Sequence, residues 1–414
     1  MQKHLASKAA NIFILFVLLL GFISFLYWYF IKNHLENAIL NTLSLLIVAC
    51  PCALSLSIPT AIVVGIQKLF SYGCLFKNST MIEKLAKTKI IAFDKTGTLT
   101  YGKLEIEKIY SYIPIKEFKL LLQKINQIQR EIQIQHPITK ALLQFEYEFL
   151  TNRIHICKTK ENQINQLGNI DLIDKESIQY IPGMGLKFKF DNHKEIFLGS
   201  KELLELEDPE SVLEKGNIIV YLGIKYQNKK QIIAIFLLRD KIREDAYKTI
   251  NLLNKKYKTI LLTGDCLENA LWIQEKLNIQ DIHYSLKPIE KAEIIKNLQK
   301  NGITIMVGDG INDTIALHQA DVGISFADAS KLAMYSSDIL LLNSNVEIIL
   351  FLLEYSKNIL KKIKQNLTIS FVYNICLLPL AFIGFINPFI GSVFMSLSSI
   401  TVVLNSLTLL KYHK

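Results

Sequence analysis

The sequence predicts a multi-domain membrane protein, with α-helical transmembrane segments towards both ends and a doubly wound, Rossmann-like α/β domain between them that carries an inserted α+β domain. Three observations carry that expectation. Long uncharged stretches run from Asn11 to Ile31, from the residue after Glu36 to Gln67, and from Gln365 to Leu410. Short β-rich runs ending in polar residues recur in the middle: Ile90-Ile91-Ala92-Phe93 before Asp94, Ile260-Leu261-Leu262 before Thr263, and Ile303 to Val307 before Gly308. Between Tyr101 and about Lys230 the pattern changes to an amphipathic helix, Phe118 to Gln127, followed by alternating strands such as Leu186-Lys187-Phe188-Lys189-Phe190.

Each membrane element follows from length and charge. Roughly 20 apolar helical residues cross a hydrocarbon core of about 30 Å, which makes Asn11–Ile31 one span. Its length, its aromatic end Tyr27-Trp28-Tyr29 and the absence of a small-residue cleavage site argue against a signal peptide. The second stretch, interrupted by Pro51 and Pro59, is longer than a straight span and reads as a kinked helix that continues beyond the membrane. Asn387-Pro388, after Gly384, divides the last stretch into two crossings. Four spans place both termini and the intervening body on one side, and Lys3, Lys8, Lys411 and Lys414 mark that side as cytoplasmic. The expected location is a membrane with the soluble body on its cytoplasmic side and lipid as a partner.

The 414 residues include 47 Lys+Arg and 37 Asp+Glu, a formal balance of +10, and half of the residues are apolar. Composition excludes bulk disorder and collagen-like sequence. Lysines are dispersed among Ile, Asn and Leu and not gathered into runs, so nucleic acid is not an expected partner. Six cysteines without a C-x-x-C pair fit a reducing compartment better than a disulfide scaffold.

In doubly wound sheets, sites form beyond the carboxyl ends of the strands, so Asp94, Thr263 and Asp309 should meet. A strand-end carboxylate can act as a nucleophile when magnesium shields it from an anionic phosphate, and Asp309 and Asp313 can supply further carboxylates. Thr263 offers a hydroxyl to phosphoryl oxygens, and Lys291 can offset their charge.

Asp94-Lys95-Thr96-Gly97-Thr98-Leu99-Thr100, followed by Thr263-Gly264-Asp265 and by Gly308-Asp309-Gly310-Ile311-Asn312-Asp313, resembles the P-type ATPases of the haloacid-dehalogenase superfamily. The resemblance implies catalytic roles for Asp94, Lys95, Thr96, Thr263, Gly264, Lys291 and Asn312. It implies magnesium at Asp94, Thr96, Asp309 and Asp313, with ATP as phosphoryl donor. Phosphatases of the superfamily carry a second Asp two residues after the nucleophile. Thr96 stands there instead, which implies an aspartyl-phosphate that persists, as in a pump.

Cys50-Pro51-Cys52 resembles the metal motif of the heavy-metal subclass. Proline removes a backbone donor and loosens the turn, letting two soft thiolates face one ion. Tyr373, Asn374, Met395 and Ser399 match the copper-exporting branch, so the implied cargo is Cu+, and the location the resemblance implies is a bacterial inner membrane. Cys52-Ala53-Leu54-Ser55-Leu56 and Met395-Ser396-Leu397-Ser398-Ser399 lean towards the pumps that supply copper for cytochrome oxidase assembly. In the insertion, His136-Pro137 resembles the subclass's adenine-stacking signature, with Glu131, Gly183, Gly185 and Gly199 at the spacings used around the nucleotide. Gln135 and Ser200 replace residues commonly Glu and Asn there.

The expected organisation is 1–67, two transmembrane helices; 68–103, a connection and the start of the phosphorylation domain; 104–230, the nucleotide-binding domain; 231–345, the remaining phosphorylation domain; 346–364, a connecting helix; and 365–414, two more transmembrane helices. The family is longer, with further spans and an actuator domain carrying Thr-Gly-Glu, which does not occur here. Met1 therefore resembles an internal start, which leaves open a split gene whose separate chain carries the actuator, a truncated gene model and a decayed remnant; a copper chaperone is the partner the resemblance implies for delivery of the ion. The rival readings are an inactive remnant or copper-binding assembly subunit without turnover, and a membrane-tethered phosphatase.

Overall fold

In the computed structural model the residues described are 17–31, 35–50, 52–132, 137–150, 157–158, 177, 179–181, 184–191, 194–204, 217–226, 229–309 and 311–412. They fall into two compact units, one made of Met1–Lys89 with Ser337–Lys414 and the other of Ile90–Ser336.

The first unit is built of apolar helices. Among the described residues two are long and apolar enough to cross a membrane, Glu347–Phe382 and Pro388–Lys411, and three shorter apolar helices cover Val17–Phe30, Leu35–Val48 and Ser55–Ser71. The expected first span begins at residues 11–16, outside the described part. The second differs from the expectation of one kinked helix: it ends at Val48 and a new helix starts at Cys52. A proline inside a helix lacks the amide that donates to the preceding turn and crowds that turn's carbonyls; Pro51 itself lies outside the described residues. Pro59, by contrast, stays inside the Cys52–Ser71 helix. At the other division, Asn387 caps the last helix by accepting from the Ile390 amide at 2.8 Å, with Pro388 in the first helical turn.

Polar side chains tie these helices together where apolar burial alone gives no direction. Buried Asn366 donates to the Ser57 carbonyl at 3.4 Å and to Ser406 Oγ at 2.8 Å. Its Oδ1 accepts from Asn405 Nδ2 at 2.8 Å, and Asn405 Oδ1 accepts from Lys362 Nζ at 2.9 Å. Phe371, Phe385 and Phe389 are exposed, as residues facing lipid would be. The unit also holds an antiparallel strand pair, Cys74–Phe76 with Ile339–Leu341.

The second unit contains two sheets. In the first, the strand order is Val322–Phe326, Ile303–Val307, Thr88–Phe93, Lys258–Leu262, Asp281–His283. Its strands are continuous apolar runs because helices cover both faces, and Ala92, Ile260, Leu262, Met306 and Leu317 form the core. The strand that precedes Asp94 is central. In the second sheet, Thr100–Ser111, Lys229–Ile242, Ile218–Tyr226, Lys194–Gly199, Gly185–Asp191 and Gln179–Ile181 pair antiparallel in that order. Helices Ile115–Ile132 and Pro137–Leu150 cover one face through Phe118, Leu122 and Phe145. Thr100–Ser111 and Lys229–Ile242 lead out of and back into the first sheet as neighbours, with Thr100 opposite Ile242. The expected boundaries after 103 and 230 lie within this two-stranded ribbon.

Candidate active site

Asp94 follows the central strand, its amide donating to the Val307 carbonyl at 2.9 Å. The neighbouring strand ends at Val307, and Asp309 comes two residues later. Ligand oxygens of Asp94, Asp309 and Asp313 all lie within 4.8 Å of one another. Lys291 enters from the helix Pro288–Leu298, which Pro288 and the Lys287 amide, donating to Glu290 Oε2 at 2.7 Å, start at a defined residue. Its buried ammonium donates to Asp94 Oδ1 at 2.6 Å and to Asp313 Oδ1 at 2.7 Å.

This geometry sets the protonation balance. Burial pushes the Asp94 carboxyl up to about 7, the Asp313 carboxylate adds to the rise, and Lys291 opposes it. Burial, with Asp313 and Asp328, likewise pushes Asp309 up to about 6, against the pull of Arg243. Burial disfavours the Lys291 charge, but the two carboxylates outweigh it and the net shift is upward. One ammonium among three carboxylates leaves surplus negative charge. Hard oxygen donors in that state fit a divalent cation such as magnesium.

The loop after Asp94 is shaped by Gly97, whose φ of +73° is a left-handed conformation. A Cβ there would fall 1.6 Å from Asp309 Oδ2, so the loop can close over the carboxylates only with glycine. Arg243 holds it: Nη2 donates to the Gly97 carbonyl at 2.8 Å and Nε to the Thr100 carbonyl at 3.1 Å. The Thr100 hydroxyl donates to Asp240 Oδ2 at 2.5 Å, and burial raises the Asp240 carboxyl. Lys95 pairs with Asp265. Neither Arg243 nor Asp265 was among the residues expected from sequence to act here; the available signal was a charged cluster, Asp240 to Arg243, ending an apolar strand.

The other expected residues divide as follows. Thr263 is buried, its hydroxyl accepting from the Asp265 amide at 3.1 Å, while Thr96, Gly264 and Asn312 are exposed. Gly185 and Gly199 face each other across adjacent strands. A Cβ on Gly185 would meet the Leu198 carbonyl at 2.2 Å, and one on Gly199 the Met184 carbonyl at 2.0 Å, so close backbone approach requires both. Glu131 lies at the end of its helix. His136 and Gly183 lie outside the described residues.

Among the membrane helices, Tyr373 packs with Leu45, Val48, Leu377 and Ala381, next to the helix end that leads to Cys50. Asn374 is half-buried on the same helix. Met395 is buried, and Ser399 donates to its carbonyl at 3.2 Å. Cys50 and Cys52 correct the expectation of two separate thiolates: their sulfurs are joined as a disulfide, with Cα atoms 5.4 Å apart. A bonded pair carries no thiolate charge for a soft cation, so that ligand set requires the reduced form.

A family model described as haloacid dehalogenase-like hydrolase matches residues 88–321. The chain belongs to that family. Asp94, Asp309 and Asp313 all lie in the matched range. The chain is also homologous to copper-transporting P-type ATPases. It is 32% identical to a "probable copper-exporting P-type ATPase" of Archaeoglobus fulgidus over 99% of its length and 49% of that protein. It is 33% identical to a "probable copper-importing P-type ATPase A" of Enterococcus hirae over 98% of its length and 53% of that protein. The chain therefore spans about half the length of these relatives. A zinc-transporting PIB-type ATPase in its E2.Pi state shares the fold across 97% of this chain and 63% of that one, with a TM-score of 0.79 at 24% identity. The catalytic domain of the CPx-ATPase CopB-B matches 70% of this chain and 98% of its own, with a TM-score of 0.51 at 25% identity. The fold expected from sequence, a haloacid-dehalogenase-like domain with a nucleotide-binding insertion and apolar membrane helices, is borne out.

Proposed function

We propose that this chain is the catalytic part of an ATP-driven copper(I) pump working through an aspartyl-phosphate. Asp94 Oδ2 attacks the terminal phosphorus of ATP, the bond to the bridging oxygen breaks, and ADP leaves. Lys291 holds Oδ1, fixing the carboxylate while its charge and the Thr263 hydroxyl stabilise the transferring oxygens. Magnesium held by Asp94, Asp309 and Asp313, with Thr96 beside them, would supply the positive charge that phosphoryl transfer demands. Lys95, Gly264 and Asn312 frame the entry. ATP's base is assigned to the insertion, at Glu131, His136, Gly183, Gly185 and Gly199.

The observation that carries this reading is the convergence of Asp94, Asp309, Asp313 and Lys291 at the end of the central strand, in a chain similar to copper-transporting ATPases along nearly its whole length. The cargo site is assigned to reduced Cys50 and Cys52 with Tyr373, Asn374, Met395 and Ser399. The soluble unit is assigned to the cytoplasmic side of a cell membrane. An actuator function comes from outside these 414 residues, on the same or a second polypeptide, and a copper chaperone is the donor.

The test uses membranes kept under reductant. Cys50→Ala/Cys52→Ala should lose stimulation of ATP-dependent phosphorylation by cuprous ion and still accept label from inorganic phosphate. Undiminished stimulation in that variant would remove the cargo assignment.

A further inference from the structure

We propose that the middle of helix Glu347–Phe382, at Asn358 to Gln365, together with the chain at the carboxyl end of helix Pro388–Leu407, forms a binding site for the phosphate of an anionic phospholipid headgroup. A cavity of about 260 Å³ lies there, lined by Asn358, Lys361, Lys362, Gln365, Thr408 and Tyr412 among others. It is smaller than the roughly 300–1,000 Å³ of pockets that enclose drug-sized ligands, and suits a headgroup better than a nucleotide.

Its position selects the source of the phosphate. Gln365 is the first residue of the uncharged stretch that runs to Leu410, and Lys361, Lys362 and Lys364 lie immediately before it. The cavity therefore straddles the boundary between charged and apolar chain on both helices, at the depth of a headgroup. Leu404 and Leu407, on the apolar side, are exposed and would lie along acyl chains. Basic pockets between membrane helices on the positively charged side take anionic headgroups.

The donors are also suitable. An ammonium has three protons, and Lys362 uses one on Asn405 Oδ1 at 2.9 Å. Two further donors remain for phosphate oxygens without dismantling that bond. Lys361 adds a second charge from the cavity wall and Tyr412 adds a hydroxyl group, while the Thr408 hydroxyl donates to the Asn405 carbonyl at 2.6 Å. Asn405 in turn bonds Asn366, which reaches the Ser57 carbonyl on the helix that begins at Cys52. A headgroup bound to Lys362 would thus join a network that already reaches the helix beginning at Cys52.

The proposal rests on the reading that these helices cross a bilayer, but not on ATP hydrolysis or copper transport. The test is native mass spectrometry of the full chain released from nanodiscs of equimolar phosphatidylglycerol and phosphatidylcholine. The wild type should retain phosphatidylglycerol selectively. Lys361→Gln, which leaves the Asn405 bond intact, should lower its affinity about fivefold, and Lys361→Gln/Lys362→Gln should lower it further. Lys361→Arg should restore retention. Equal retention of both lipids by the wild type, equal phosphatidylglycerol retention by wild type and double variant, or full displacement by millimolar inorganic phosphate would each overturn the proposal. Membrane extraction at alkaline pH, read separately, shows whether the chain is embedded at all.

Discussion

Lys291 Nζ stands 2.6 Å from Asp94 Oδ1, and both side chains are buried, although 197 residues separate them in sequence. The contact joins the proposed nucleophile to the positive charge that makes its burial tolerable. Removing one partner of such a pair leaves an uncompensated charge, at a cost of about 3–5 kcal/mol. Lys291→Ala should therefore unfold earlier in denaturant and form phosphoenzyme about 10²-fold more slowly. Rapid-quench labelling at saturating ATP checks this, and wild-type rates in the variant would contradict the role given to Lys291.

The contact between Gly97 and Asp309 leads to a metal-linked prediction. Since a Cβ at residue 97 would overlap the Asp309 carboxylate, Gly97→Ala should misplace one proposed magnesium ligand. Magnesium at about 100 times its dissociation constant should stabilise the wild type by about 2.7 kcal/mol, and chelation should abolish that gain. In Gly97→Ala the gain should be largely absent. Thermal unfolding with and without magnesium measures it, and an equal gain in both proteins would show that the loop does not shape the site.

Arg243 offers a sharper test of positioning. Its fork reaches two backbone carbonyls, at Gly97 and Thr100. Lysine keeps the charge but cannot engage both in the same geometry. Arg243→Lys should cost about 2 kcal/mol of stability and slow phosphoenzyme formation more than it weakens ATP binding. An unchanged phosphorylation rate would restrict Arg243 to a structural part.

Much of this site was legible in the sequence because it depends on local features. Runs ending at Phe93, Leu262 and Val307 could be read as buried strands, and strand-end residues of a doubly wound sheet share one edge. Arg243 and Asp265 were not legible, because what they do depends on partners 146 and 170 residues away. The sequence does not distinguish a kink from the break after Val48: proline removes a donor in either case, and only neighbouring packing decides whether the helix resumes at once. The joined sulfurs of Cys50 and Cys52 are not legible in the sequence, because two cysteines flanking one residue can be free or bonded.

Cysteine reactivity separates two described thiols. Burial pushes the Cys74 thiol up to about 12, whereas Cys266 is exposed beside Asp265. A thiol whose ionisation is raised stays neutral until the pH approaches that value, and only the thiolate is nucleophilic. In the folded protein at pH 8, iodoacetamide should label Cys266 and leave Cys74 unmodified until denaturant is added. Peptide mapping by mass spectrometry reads both at once, and native labelling of Cys74 would contradict its burial.

The central claim is that Asp94 accepts the terminal phosphoryl group of ATP. It is tested most directly by acid-stable labelling of membranes with γ-labelled ATP and magnesium, comparing wild type with Asp94→Asn. The account predicts a labelled band in the wild type that hydroxylamine removes, and none in the variant. Equal labelling of the two proteins would contradict it.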